Sequence, residues 1–247
     1  ISLVGCNRKQ KAAPISENLS NIVYAYTSGT VSKQSAIKVR FTDPAIADAQ
    51  VGDTISESLI TFSPAVRGSA RWEDPNTLLF EPEDLKSSTE SLVTVQTGKI
   101  FPHLPREAAT FEFNFRTKDL YFYVEVEGFQ APNVRDLAQQ ELRGTLRSSD
   151  AIGPDQLDDL LSATQNGNSL PLRWVSNAAQ TEHPFTVESI IRSEKAGIVQ
   201  LAWDGTRQKI QESKGEQEVE VPALGDFKVV DAKIIRQPQQ AIALYFS

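Results

Sequence analysis

The sequence holds one cysteine, two histidines and no methionine among 247 residues. Each scarcity excludes something. A single cysteine cannot close an intrachain disulfide, so stability has to come from buried cores. One cysteine with His103 and His183 falls short of the usual zinc ligand sets, and no metal site is expected. No apolar run reaches the ~20 residues that a membrane-spanning helix needs. Basic residues number 25 against 32 acidic ones, a net charge of -7, which removes the basic footprint of a nucleic-acid partner. No glycine-rich phosphate loop occurs, and no cofactor is implied. The lack of any Met predicts that the chain is a piece of a longer precursor.

What is present reads as globular material. Hydrophobic residues make up 40% and charged residues 23%, and the length suits two sandwich-sized domains. Apolar residues recur with a period of two: Ile37, Val39, Phe41; Phe111, Phe113, Phe115; Leu120, Phe122, Val124, Val126; Phe185, Val187; Val199, Leu201, Trp203; Ile242, Leu244, Phe246. Such alternation sends one face of a strand to a core and the other to solvent. Turn signals separate the runs at Ser28-Gly29, Asp74-Pro75-Asn76, Asn166-Gly167-Asn168 and Asp204-Gly205. Many short strands at this spacing argue for β-sandwiches.

One stretch departs from the alternation. Gly153-Pro154-Asp155 precedes Leu157, Leu160 and Leu161, and Asn166-Gly167 follows. Early Pro, an acidic first turn, leucines at i, i+3 and i+4 and a closing Gly predict a short amphipathic helix. Asp155, Asp158 and Asp159 could suggest a cation site. Their spacing lacks the Gly and terminal Glu of a calcium loop, so a solvated helix face is the preferred reading.

The N-terminal edge carries its own string, Leu3-Val4-Gly5-Cys6. It resembles the lipobox of bacterial lipoproteins. On that resemblance Cys6 is the lipidation site, residues 1–5 end a signal region, and the polar run 7–18 is a flexible tether. Anchoring by two or more acyl chains is durable where one holds weakly. The other reading of Cys6 is a buried thiol in a strand. Its place at the edge, with a tether behind it, favours lipidation.

The chain also resembles itself. Residues 22–42 and 227–247 align without a gap, closing on Ala36-Ile37-Lys38-Val39-Arg40-Phe41-Thr42 and Ala241-Ile242-Ala243-Leu244-Tyr245-Phe246-Ser247. If Ile22 opens one sandwich, Phe227 opens another; chance likeness of two alternating strands is the alternative. The expected organisation is then residues 1–19 as signal remnant, lipidation site and tether, 20–117 and 118–225 as two sandwiches, and 226–247 as the opening strands of a further domain.

Two strings carry a resemblance to known families. Phe41-Thr42-Asp43-Pro44, Ile60-Thr61-Phe62-Ser63-Pro64, Gly68, Trp72, Asp74, Thr77-Leu78-Leu79-Phe80-Glu81-Pro82, Leu85 and Thr89 together resemble the bacterial Ig-like domain, with Ser91 where a Tyr is usual. In that reading Phe41, Phe62 and Phe80 close three strands onto one core, and Pro44, Pro64 and Pro82 end them, since Pro cannot donate to a ladder. Gly144-Thr145-Leu146-Arg147, Leu172-Arg173-Trp174, His183-Pro184-Phe185-Thr186-Val187, Leu201-Ala202-Trp203-Asp204-Gly205 and Val221-Pro222-Ala223-Leu224-Gly225 follow. In this order, behind a lipobox, they resemble the N-terminal region of bacterial alpha-2-macroglobulins. The fold class expected is all-β: tandem Ig-like and macroglobulin-like antiparallel β-sandwiches with one short helix inserted in the second domain.

The resemblance implies an envelope protein that traps proteases. A protease cuts a bait region, the molecule changes shape, and in many members a thioester captures the protease; both parts would lie downstream. The chain is then a non-catalytic N-terminal scaffold segment of a lipid-anchored, periplasmic protease inhibitor. It would be held to the membrane through Cys6 and monomeric as a fragment, and proteases would meet later regions of the parent chain. No catalytic group is assigned. Lys214-Gly215-Glu216-Gln217 holds the Glu-Gln of a thioester motif without its Cys and reads as a charged hairpin. His183 beside Pro184 reads as a structural histidine, and Glu125 and Glu127 as a solvated strand edge rather than a glycosidase pair. The alternative function is an Ig-like surface adhesion or glycan-binding module, which needs an exposed platform from two of Trp72, Trp174 and Trp203. A third is an envelope enzyme whose catalytic part lies elsewhere.

Overall fold

The computed structural model describes residues 17–55, 59–133, 135–208, 210, 213–226, 229–236, 238 and 240–246. The chain divides into two compact units, Ile1–Asp119 and Leu120–Ser247. Cys6 and Phe227 fall outside the described residues. Residues 17–20 form one helical turn, and Leu19, within the stretch assigned to the tether, is buried in the first core.

The first unit has nine strands: β1 (Val23–Tyr26), β2 (Gly29–Val31), β3 (Ile37–Phe41), β4 (Thr54–Ile55), β5 (Ile60–Ser63), β6 (Gly68–Asp74), β7 (Thr77–Pro82), β8 (Glu90–Val95) and β9 (Phe111–Thr117). They form two sheets, ordered β1-β3-β7-β6-β4 and β2-β9-β8-β5. Ile37, Val39 and Phe41 from one sheet meet Val93, Val95, Phe111, Phe113 and Phe115 from the other in a single core. Each such side chain, fully buried, contributes about 1.5–3 kcal/mol. The proline positions follow expectation where strands end: Pro64 follows β5 directly and Pro82 is the last residue of β7. The β6–β7 turn is locked by Asp74, which accepts the Asn76 N–H at 2.8 Å and the Thr77 hydroxyl at 2.9 Å. Gly68 is needed for space: a Cβ there would lie 2.3 Å from the Glu81 carbonyl oxygen and 2.6 Å from the Phe80 ring.

This strand order is that of the immunoglobulin sandwich. Strand A is split into β1 and β2, followed by B (β3), C (β5), D (β6), E (β7), F (β8) and G (β9), with β4 added outside D. The split brings one parallel pairing into the antiparallel sandwich: β2 pairs with β9 in parallel, Gly29 opposite Phe115 and Val31 opposite Thr117. Alternation is blind to strand direction, and the crossover between sheets at residues 27–28 is what sets it.

The second unit repeats the topology. Its strands are β10 (Phe122–Gln130), β11 (Gln139–Ser148), β12 (Leu161–Gln165), β13 (Asn168–Ser169), β14 (Leu172–Trp174), β15 (Glu182–Ile191), β16 (Gly197–Asp204) and β17 (Lys214–Val221). The sheets run β10-β11-β15-β14 and β13-β12-β16-β17, an A-B-E-D layer facing a C′-C-F-G layer. Leu142, Phe185, Val187 and Ile190 pack against Leu161, Ala163, Val199 and Leu201 between them. Gln165 ties the layers further, its amide accepting the Ile191 N–H at 3.0 Å and donating to the Ile191 carbonyl at 2.8 Å.

The expected amphipathic helix is instead a 3-10 helix, Pro154–Asp159, that runs straight into β12. Leu157, Leu160 and Leu161 are buried, but Leu161 is already the first strand residue. Asn166-Gly167 is not the end of a helix. With φ of 53° and 79° it is the turn of the β12–β13 hairpin. Among the described residues, the final strands, β18 (Val229–Ile235) and β19 (Ala241–Phe246), pair only with each other, and β18 runs close to β10 without joining its ladder. Among the described residues, no helix is long and apolar enough to cross a membrane.

Candidate functional site

His183 stands on β15 and is fully buried. Its Nε2 lies 3.0 Å from the Gln180 carbonyl, which can only accept, so Nε2 carries the proton. Nδ1 is then the acceptor for the Ser176 hydroxyl at 2.9 Å. Burial pushes the imidazole below its ordinary range, and the Gln180 bond only partly opposes that. A serine beside a neutral histidine is the core of a nucleophilic dyad. Here the third group is a carbonyl rather than a carboxylate, and the ring has no face open to a substrate. The pair pins the β14–β15 turn, in which Gln180 sits at φ 53°. Ser176 went unnoticed in the sequence because only that turn brings it back to His183. His103 is exposed and lies edge-on to Phe101, with ring centroids 6.1 Å apart.

Several acidic groups have partners. Glu125 and Glu127 share the outward face of β10. Glu125 accepts from Arg147 Nε at 3.0 Å, Glu127 accepts from the Thr145 hydroxyl at 3.0 Å, and Arg147 also pairs with Glu182. Asp158 accepts from the indole N–H of Trp174 at 2.8 Å. Asp204 is held down to about 2, first by the hydroxyl and amide of Thr206 and then by Lys214. Among the described residues, no three carboxylates, histidines or cysteines converge as a metal site. Glu216 and Gln217 lie in strand β17, in the antiparallel β16–β17 pair, opposite Ala202 and Leu201.

Each unit carries a groove among its described residues. One of about 550 Å³ in the first unit is walled by Ile60, Phe62, Val66 and Phe80, with Arg67 and Glu83 in its lining. One of about 720 Å³ in the second unit is bordered by Asp158, Asp159, Trp203, Asp204, Arg207 and Lys214. Its carboxylates Asp158 and Asp204 already have partners, and the ring of Trp203 presses on Gly215, where a Cβ would come within 2.7 Å of it. Trp72 is buried, and Trp174 and Trp203 are half-buried against the second unit's cores. The three tryptophans therefore form no exposed platform. Tyr121 and Tyr123 were not singled out from the sequence, yet both are exposed on the outward face that carries Glu125.

No family profile matches the chain, and no curated protein matches it in sequence. Among solved structures it is similar to L,D-transpeptidase 3 from Mycobacterium tuberculosis in complex with a faropenem-derived adduct, at 11% identity and a TM-score of 0.28, covering 69% of this chain and 76% of that one. It is also similar to the N-terminal eight Ig domains of Down Syndrome Cell Adhesion Molecule, at 11% identity and a TM-score of 0.22, covering 80% and 26%. A third likeness is to domains 4–9 of the surface layer protein SbsC, at 11% identity and a TM-score of 0.23, covering 86% and 32%. At such scores these likenesses carry no weight for activity, and the assignment of two immunoglobulin-type β-sandwiches rests on strand order and cores.

Proposed function

We propose that the chain is a non-catalytic N-terminal scaffold segment of a bacterial envelope lipoprotein that inhibits proteases in the manner of the alpha-2-macroglobulins. It is anchored through acylated Cys6 and exposed to the periplasm, and target proteases engage later parts of the parent chain. The observation that supports this reading is the order of features: a lipobox-like string, a polar run, then a sandwich in which Phe41, Trp72 and Phe80 of the Ig-like string are buried together with Phe62 against them. The reading is consistent with polar groups that are bonded within their own unit rather than aimed at a shared cleft.

The test has two parts. Acyl labelling of the full precursor is expected to mark Cys6, and Cys6→Ser is expected to move it from membrane to soluble fraction. The precursor should lose activity of a bound protease toward large substrates while sparing small ones, and the purified segment should neither inhibit nor hydrolyse. Hydrolysis by the segment, or a Cys6→Ser precursor that stays on the membrane, sinks the reading. A glycan-binding module is the second reading, favoured by the exposed pair Tyr121 and Tyr123. It requires oligosaccharide binding that Tyr123→Ala abolishes without loss of fold.

A further inference from the structure

The three opening strand pairs of the chain share one construction. β1 pairs with β3, β10 with β11 and β18 with β19, all antiparallel, and each first strand carries a bulge. The bulges fall between Val23 and Ala25, between Val126 and Gly128, and between Val229 and Asp231. The first and third pairs agree step by step. Val23 faces Phe41, Ala25 faces Arg40 and Tyr26 faces Val39. Val229 faces Phe246, Asp231 faces Tyr245 and Ala232 faces Leu244. A bulge adds one residue and re-aims the strand. The shared register sets Val23 with Val229, one residue off the ungapped alignment of 22–42 with 227–247, so it is a separate observation from the apolar alternation.

The surroundings differ sharply. Ile37 and Val39 are 0% exposed, because the facing sheet covers them, whereas their counterparts Ile242 and Leu244 are 69% and 50% exposed. Ile234 stands opposite Ile242 and is 72% exposed, so one apolar face runs across the hairpin. β3 and β11 are each flanked on both sides, the second neighbour being β7 or β15. β19 has β18 alone. A bare apolar strand with an open edge is a standing invitation to pairing.

We propose that β18 and β19 are strands A and B of a third immunoglobulin-type unit of the same polypeptide. A strand from the chain that follows Ser247 pairs with the open edge of β19 as β7 does with β3, and the facing sheet of that unit covers Val229, Ile234, Ile242 and Leu244. A second copy of the chain is a poorer occupant. The register that the β18–β19 pair shares with β1 and β3, where β7 of the same chain fills the side of β3 away from β1, favours a following strand over a second copy. This assignment holds whether or not Cys6 is acylated or the parent traps proteases.

The test compares the 247-residue chain with the chain extended by about 100 residues of its own reading frame, the length of one such sandwich. Ile242→Cys and Leu244→Cys are placed in a Cys6→Ser background, with Val39→Cys as the buried reference, and alkylation rates are measured. Both sites should react like free thiols in the shorter chain and at least about 100-fold more slowly in the longer one. Amide exchange along β19, read on unaltered side chains, should slow in parallel. Unchanged alkylation and exchange in the longer chain overturn the assignment. So does protection in the shorter chain that rises with its concentration, which would mean that a second copy covers the face. A reading frame that stops at Ser247 overturns it as well.

Discussion

Replacing Arg192 by Met should release the segment that leads out of the second sandwich. Arg192 follows β15 and is 3% exposed. Among the described residues its guanidinium meets only backbone carbonyls: Nε donates to Pro222 at 2.9 Å, Nη2 to Ala223 and, at 3.4 Å, to Asp226, and Nη1 to Leu137 at 3.5 Å. The two long contacts lie at the limit of useful geometry and count for little. The two short ones are charge-assisted, at about 1.5–3 kcal/mol each. Removing the guanidinium also removes its own desolvation cost, so the net loss is about 3 kcal/mol rather than the gross sum. That loss should appear locally, at residues 222–226, where the Leu224 N–H also donates to the Ser193 carbonyl at 2.8 Å. Hydrogen exchange at Leu224 should quicken by about 100-fold, since each tenfold corresponds to about 1.4 kcal/mol. Arg192→Lys should recover less than half of this, because an ammonium cannot span carbonyls on both sides. Exchange at Leu224 that changes by less than about threefold in Arg192→Met, with no loss in urea stability, would refute the latch.

Other substitutions test the cores. Ser91 is fully buried with an unpartnered hydroxyl, in the strand F region where a Tyr often closes the sandwich corner. Ser91→Ala should raise stability by about 1 kcal/mol in urea unfolding, and a loss of that size would count against the orphaned hydroxyl. Gly68→Ala should cost about 3 kcal/mol, because the Glu81 carbonyl cannot move aside, whereas Gly29→Ala, at φ 73° with nothing within 4 Å, should cost about 1. Equal costs would refute the steric account. His183 has a folded-state value below its ordinary 6.5, so the unfolded chain binds the proton more readily. Stability tied to it is complete above that value and drains as pH falls from 6.5 toward the lowered value; His183→Gln should flatten that limb in a series of melts. Asp204, held to about 2, acts through the same linkage at lower pH: its contribution is present above 3.8 and is lost as pH falls toward 2. Asp204→Asn should remove that acid limb.

Much of this fold is written in period-two alternation. Phe111, Phe113 and Phe115 are buried as the pattern requires, as are Ile37, Val39 and Phe41, because a strand with one apolar face has only one way to turn it inward. The expected helix between Gly153 and Asn166-Gly167 misled because three leucines at helical spacing are also satisfied by a 3-10 turn running into a strand. Both put Leu157, Leu160 and Leu161 inward, and six residues are too few for periodicity to choose between them. The parallel β2–β9 pairing is silent in sequence, since direction comes from a chain crossing between sheets. The partners of His183 and Arg192 were equally hidden. Ser176, Gln180, Pro222 and Ala223 present hydroxyls and carbonyls whose meaning exists only once two distant turns are placed.

The strongest polar contacts have a common form. His183 bonds the Gln180 carbonyl, Arg192 the carbonyls of Pro222 and Ala223, Gln165 both backbone groups of Ile191, and the Thr117 hydroxyl the Lys86 carbonyl while accepting the Thr89 N–H. In each case a polar side chain is bound to main chain at a turn or strand end. Such bonds satisfy backbone groups that irregular segments would otherwise bury unpaired. A chain with at most one cysteine for cross-linking gains from placing its few buried polar groups there, because every corner so fixed is one that thermal opening must break.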